Sequence, residues 1–381
     1  LSPNIPQRDL SVSAGSSSKK GSDTLARFMY NVRMANEKQS AKPAVRAFVI
    51  GVALITVFTA GFLLLRTNNQ KDRPGANLER VVINQAANVL LYLPLYIAQD
   101  KGFFEQEGIL VEIVTGGGDS QAFAAVLSGS ADIAQGDPMM VPISRAQGGP
   151  GKIVGTVVSR VAFWGVTLKD QVPEIRDPSQ FRNIRVVTYP APNTIYALQK
   201  RNLEKGKLTE EDSPIIQAQF GHELAPIFAG QAEVAMTLEP VVSQALANGA
   251  RVVFSFPEQY GEFALTGLIT TEDKIKSNPR RIRSVVRGIQ AALNYAHTDP
   301  EGAVAVAMKR FPDVPKGVLR AAVLRMLSEG TLPKDVSVSD KGYMEAMRVR
   351  RDIGDLAKDI SFLEAVDNTF ASEATLRSVR P

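Results

Sequence analysis

From Leu78 onward, short apolar runs take turns with longer stretches whose apolar positions recur every three or four residues. "RVVINQ" predicts a strand, and "LPLYIAQDKGFFEQEG" predicts a helix closed by Gly102 and Gly108. "ILVEIVTGGG" reads as a strand ending in glycines, and "SQAFAAVLSG" as a helix stopped by Gly129. "ADIAQG" is a third strand, followed by "DPMMVPISRAQGG", a helix with Pro in its first turn. Such alternation predicts an α/β fold with parallel strands. "KIVGTVVSRVAFWGVTLK" is too long for one ordinary strand and reads as one that leaves a sheet and crosses to another. The alternation then restarts, with "NIRVVTYP", "SPIIQAQF", "AEVAMT" and "ARVVFSF" as strands and "APNTIYALQKRNLEKG", "HELAPIFAG" and "EPVVSQALANG" as helices. "FALTGLIT" returns to the first sheet, and the chain from Pro279 is mostly helical. His297 closes the first of these helices, where a cation suits the helix dipole, so its expected role is structural.

The front of the chain follows another pattern. Residues 1–46 are rich in Ser and Lys with little apolar periodicity and are expected to be a disordered tail. Residues 47–65, "AFVIGVALITVFTAGFLLL", hold no charge. As a helix they would measure roughly 28 Å, enough to cross a hydrocarbon core. The preceding region is too long for a signal peptide, and Arg66-Thr67-Asn68 follow where a small-residue cleavage site would be needed, so the expectation is a retained single-pass anchor. The tail carries eight Lys or Arg against three acids, which places it in the cytoplasm and everything after Leu65 outside the inner membrane. Residues 66–77 read as a polar tether.

At 381 residues, 44% of them hydrophobic, the chain is long enough for two domains. It has no cysteine and two histidines, which excludes disulfides, thiolate metal sites and a lipidated cysteine, and leaves neither a metal nor a cofactor expected. The net charge of +5 is concentrated in the tail, so no basic globular face speaks for nucleic acid as a partner.

One phrase occurs twice: "GSADIAQGDP" at Gly129 and "GQAEVAMTLEP" at Gly230. Each predicts a helix stop, a short strand, a loop and a new helix beginning at acid-Pro, so two similar lobes are expected. Asp137 and Glu239 at these positions admit two readings, as helix caps or as ligand contacts; the longer Glu239 is the poorer cap. In open parallel sheets, ligands gather outside the carboxyl ends of the strands. The loops there carry Asp119, Asp137 and Glu239 and no Lys or Arg, which favours a neutral, aminated or zwitterionic solute over a doubly charged anion. Gly116, Gly117 and Gly118 allow close backbone approach, and Asn193 and Thr194 offer a helix start from the second lobe.

At "YLPLYIAQDKGFFEQEGILVEIV", "GGGDSQAFAAVLSGSADIAQGDP" and "GQAEVAMTLEP" the chain resembles substrate-binding proteins of ABC transporters in the nitrate, sulfonate and taurine group, which includes relatives of thiamine-pyrimidine synthases. The resemblance runs from about Val81 to Asp355. It implies a type II periplasmic-binding fold, in which a two-strand hinge near Phe163–Val166 and Phe254–Phe256 joins lobe I (78–164 and 256–381) to lobe II (165–255). It also implies a solute gripped between the lobes and passed, without chemistry, to a permease. The implied contacts are Asn88, Tyr92, Gly117, Gly118, Asp119, Gly136, Asp137 and Glu239, with Asn193 and Thr194 added. Trp164, the single tryptophan, is either a stacking wall for the solute or packing between lobes. Two alternatives stand beside this reading: a sensory domain reporting to a membrane partner, and an enzyme of the synthase kind, which the lack of cysteine disfavours.

Overall fold

A computed structural model of the protein describes residues 78–378, Pro192 excepted. The expected tail, the membrane segment 47–65 and the tether 66–77 lie outside the described residues. Among the described residues no helix is long and apolar enough to cross a membrane.

Two five-stranded sheets organise the described residues. The first contains β1 (Glu79–Gln85), β2 (Ile109–Thr115), β3 (Ile133–Gly136), β4 (Lys152–Arg160) and β10 (Glu262–Thr270). The second contains β5 (Trp164–Thr167), β6 (Val186–Thr188), β7 (Ile215–Gln217), β8 (Val234–Thr237) and β9 (Arg251–Ser255). Their orders are β2-β1-β3-β10-β4 and β7-β6-β8-β5-β9. β1, β2 and β3 are parallel, as are β6, β7 and β8, whereas β10 and β5 run antiparallel to their neighbours. The two sheets thus share one plan, with the odd strand of each supplied by a crossing segment. The long apolar run is split as its length demands: β4 ends in the first sheet at Arg160, and β5 starts the second at Trp164.

The duplicated phrase occupies the third place in both sheets, on β3 and β8. Its first acid has the same task twice. Asp132 accepts the backbone N–H of Val82 at 2.8 Å and pairs with Arg281 at 2.5 Å. Glu233 accepts the backbone N–H of Arg185 at 2.8 Å and pairs with the same residue's side chain at 2.6 Å. Each acid therefore stitches the entry of its strand to the adjacent one. The hydrogen bonds from Arg185 hold the Glu233 carboxyl down to about 2. A depressed carboxyl contributes stability that is present above the unfolded value, about 4.3, and is lost as pH falls through the folded value. Glu233→Gln should therefore lower the thermal midpoint at pH 7 and flatten its decline between pH 4.5 and pH 2, in a calorimetric series over that range. An unaltered slope would remove Glu233 from this role.

Helix Pro279–Thr298 covers the first sheet through a stripe of Ile282, Val285, Val286, Ile289, Leu293 and Ala296, the spacing of one apolar helix face. Asn278 caps it, accepting the N–H of Arg281 at 3.1 Å, and Pro279 opens it. His297 lies in its last turn, with Nε2 3.2 Å from the carbonyl of Leu332. Helices Pro300–Arg310, Lys316–Ser328 and Asp340–Asp352 follow, and each sends an arginine towards the loops at the strand ends.

Candidate functional site

The loops leaving β1, β2 and β3 meet those leaving β6, β7 and β8 around a cavity of about 540 Å³. One side is built by Ala86 to Tyr92, Thr115 to Asp119 and Asp137, and the other by Tyr189, Pro190, Asn193, Thr194, Gln219, Phe220 and Leu238. Phe163, Leu265 and Thr266, from the crossing segments, complete the wall. Of the residues expected from the sequence, Asn88, Tyr92, Gly117, Gly118, Asp119, Asp137, Asn193 and Thr194 line this space together.

Local chemistry explains the shape of the first wall. Gly117 has φ +85° and Gly118 φ +153°, backbone states that cost little only without a Cβ. The chain then enters helix Asp119–Leu127 with Asp119 turned inward, where its Oδ1 accepts the N–H of Asp137 at 2.8 Å. Gly136 makes room for that bond, since a Cβ there would sit 2.5 Å from Asp119 Oδ1. Gly136 therefore shapes the wall from beneath rather than lining it.

Three charges set the electrostatics. Asp137 Oδ1 accepts the N–H of Met139 at 2.8 Å, while its Oδ2 pairs with Arg350. Arg350 arrives from helix Asp340–Asp352 and also donates to Thr194 Oγ1 at 3.1 Å and to Asp355 at 2.9 Å, touching loops of both sheets. Asp137 thus braces the turn that precedes helix Met140–Ala146 while facing the cavity, with both oxygens engaged and its charge balanced. Among the described residues Asp119 has no ion pair, and burial together with the charge of Asp137 raises its carboxyl above the ordinary value. Burial also pushes the Tyr92 hydroxyl well above its ordinary range, with Asp119 and Asp137 adding to the effect. Tyr92 is consequently a neutral hydroxyl near neutral pH.

Glu239 stands elsewhere. It is fully buried, and its carboxylate accepts the N–H and Oγ–H of Ser243 at 3.0 and 2.9 Å and Arg325 Nε at 2.9 Å. The length that made it a poor cap lets it reach a full turn into helix Val241–Ala247, where Arg325 from helix Lys316–Ser328 meets it. It is not part of the cavity wall, so the acidic mouth reduces to Asp119 and a neutralised Asp137.

Trp164 also faces away. It is fully buried, donates Nε1–H to Glu329 at 2.7 Å, and borders a separate cavity of about 600 Å³ lined by Arg160, Ser255, Pro257 and Glu329. Neighbouring residues of an extended chain point to opposite sides, and it is Phe163, one position earlier, that lines the first cavity.

The aromatic wall was hidden in plain residues. Tyr189 stands in "TYPAPNT" and Phe220 in "QFGH", both loops at strand ends. Their rings lie 5.3 Å apart, and Phe163 meets Tyr189 edge-on at 6.1 Å. Tyr189 donates its hydroxyl to the buried Glu223 at 2.8 Å, fixing its ring against the space. Arg350 carried no comparable signal, since 213 residues separate it from Asp137.

Similarities to known proteins extend along this same region. The binding protein YtlA of Bacillus subtilis (strain 168) is 24% identical over 306 residues, 78% of this chain and 90% of its own. The 4-amino-5-hydroxymethyl-2-methylpyrimidine phosphate synthase of Uromyces fabae is 25% identical over 235 residues, 58% of this chain and 67% of its own. The alkanesulfonate-binding protein SsuA from Xanthomonas axonopodis pv. citri, solved bound to MOPS, superposes with a TM-score of 0.59 at 18% identity, covering 77% of this chain and 100% of that one. That likeness shows the fold, a periplasmic-binding-protein arrangement of two α/β sheets. The family description that matches residues 91–303, more than half of the chain, is "NMT1/THI5 like", and the chain belongs to that family.

Proposed function

We propose that the protein is the extracytoplasmic solute-binding component of an ABC importer, held to the inner membrane by residues 47–65 and handing its solute to a permease. The carrying observation is the cavity of about 540 Å³ whose wall comes from the strand-end loops of both sheets. Its size falls within the usual range for small-molecule sites, roughly 300–1,000 Å³. Lobe I comprises residues 78–164 and 256–381, lobe II residues 165–255, and the hinge is the pair of crossings around Phe163–Val166 and Phe254–Phe256. A solute touching both lobes favours their closure, because only the closed form makes all its contacts.

The wall suits a small solute with an apolar or aromatic body and a polar head. Phe163, Tyr189 and Phe220 offer ring faces, Asn88, Tyr92, Asn193 and Thr194 offer hydrogen bonds, and Asp119 offers a carboxylate that has no ion pair among the described residues. An aminated or zwitterionic head suits Asp119, and a sulfonate-like head suits the hydrogen-bond donors. Binding without chemistry is the preferred reading, supported by the naming of YtlA and SsuA. The likeness to the Uromyces synthase supports an enzyme as the alternative.

Calorimetric titration of the full chain with taurine, alkanesulfonates, aminopyrimidines and nitrate tests the proposal. At least one organic probe should bind and return unchanged, whereas nitrate should give no heat, having no apolar body for the rings and no Lys or Arg among the described lining residues. Tight nitrate binding would overturn the solute class, and release of a product would overturn the non-enzymatic reading.

A further inference from the structure

Asn88 sits on the lip of the cavity, and its side-chain amide can present either an acceptor or a pair of donors to whatever enters. Which one is presented depends on what stands behind it. Arg310, the last residue of helix Pro300–Arg310, places Nε 2.9 Å from Asn88 Oδ1. The Tyr96 hydroxyl lies 3.1 Å from the same oxygen and 2.8 Å from Gln85 Oε1. A hydroxyl has one proton to give, so Tyr96 can donate to Gln85 and still accept from a neighbour. Tyr96 would therefore tolerate the Asn88 amide in either orientation. A guanidinium has donors only, so Arg310 cannot tolerate an amide NH₂ in front of it. Arg310 is itself held in place, stacked 4.5 Å from the centroid of the Tyr96 ring.

We infer that Arg310 is a positioning residue that fixes the hydrogen-bond polarity of the cleft by turning the Asn88 amide so that its NH₂ faces the solute. Two other lining residues are set the same way. Asn193 spends its oxygen on the N–H of Ile195 at 3.0 Å, and Thr194 accepts from Arg350 at 3.1 Å, which leaves each of them donors to offer. The cleft rim then selects a solute whose head carries hydrogen-bond acceptors on the side facing Asn88. This rests on the proposed reading of the cavity as the solute site; the orientation of Asn88 itself does not.

Two measurements separate those parts. In the ligand-free full chain labelled with [15N]asparagine, both Asn88 side-chain amide protons should exchange freely with water. In Arg310→Met, which keeps the stack on Tyr96 but has no donor, the amide should turn onto the Tyr96 oxygen and one proton should slow by about three- to tenfold. Arg310→Lys retains a donor and should restore the wild-type pattern. The second measurement is the affinity ratio of benzenesulfonate, whose head only accepts, to benzylamine, whose charged head only donates. That ratio should fall by about tenfold in Arg310→Met and recover in Arg310→Lys. Unchanged exchange in Arg310→Met overturns the inference, whatever binds. Altered exchange with neither probe bound by any form upholds the positioning of Asn88 and sinks the solute reading instead. Altered exchange with an unmoved affinity ratio overturns the selectivity assigned to Arg310.

Discussion

Arg325→Met should destabilise the protein by about 3–5 kcal/mol, the usual loss when one member of a buried ion pair is removed. The partner left behind is Glu239, which has no access to water, and burial already raises its carboxyl against the opposing pull of Ser243 and Arg325. The complementary change is gentler. Arg325 keeps about a fifth of its side chain exposed and has Glu329 as a second partner at 3.3 Å. Glu239→Gln should therefore cost about 1–3 kcal/mol, the range for an imperfectly satisfied buried group. Urea unfolding of both variants, with the midpoint and the slope fitted separately, decides the matter. Equal losses would mean that the buried carboxylate is not the vulnerable half of the pair. This pair joins helix Lys316–Ser328 to the end of β8, and Glu329 binds the Trp164 indole one turn further on. The helix thereby anchors the second sheet beside the strand crossing.

Asp119→Asn should separate stability from binding. Its carboxyl is raised by burial and by Asp137, with Arg350 opposing, and the Tyr92 hydroxyl is the other titratable group that interacts with it. A folded-state value above the unfolded one means stability that is present below the unfolded value, about 3.9, and lost as pH rises through the folded value. Wherever Asp119 is ionised it is therefore a burden on the empty protein, and the asparagine variant should gain in stability over the wild type as pH rises from 4 to 7, with no difference below pH 4. An aminated probe such as benzylamine should bind the variant about 1.5–3 kcal/mol more weakly, as for a hydrogen bond to a charged group. Wild-type affinity for that probe should also decline as pH falls through the raised value, because protonation removes the attracting charge. Calorimetry of unfolding and of binding over pH 3–7 measures both effects. A variant that is less stable at pH 7 and binds benzylamine unchanged would return Asp119 to a purely structural bond with the Asp137 N–H.

Much of the architecture was legible from local patterns. Strand and helix alternation follows from side-chain periodicity, which each segment carries within itself, and β1 to β9 fall on the apolar runs that predict them. The repeated phrase pointed to two equivalent places, and β3 and β8 hold the same position in their sheets. The strand-end loops were equally readable, since a glycine turn and an acid-Pro step mark them. Direction within the wall was not. Whether Phe163 or Trp164 faces the cavity turns on a single residue of register, which the string of letters leaves open and the pairing of β5 with β8 and β9 resolves.

The balance of charge was the least readable property. Counting acids in the strand-end loops found Asp119, Asp137 and Glu239 but could not find the arginines that answer two of them. Arg350 and Arg325 come from helices 213 and 86 residues further along the chain. Sequence alone determined the alternating α/β elements, the duplicated plan and the loops that gather at the strand ends, because these depend on neighbours a few residues apart. Only the tertiary structure decided which acids meet an arginine, which aromatic rings form the wall and which way the polar groups point, because electrostatic and packing partners are set by distance in space.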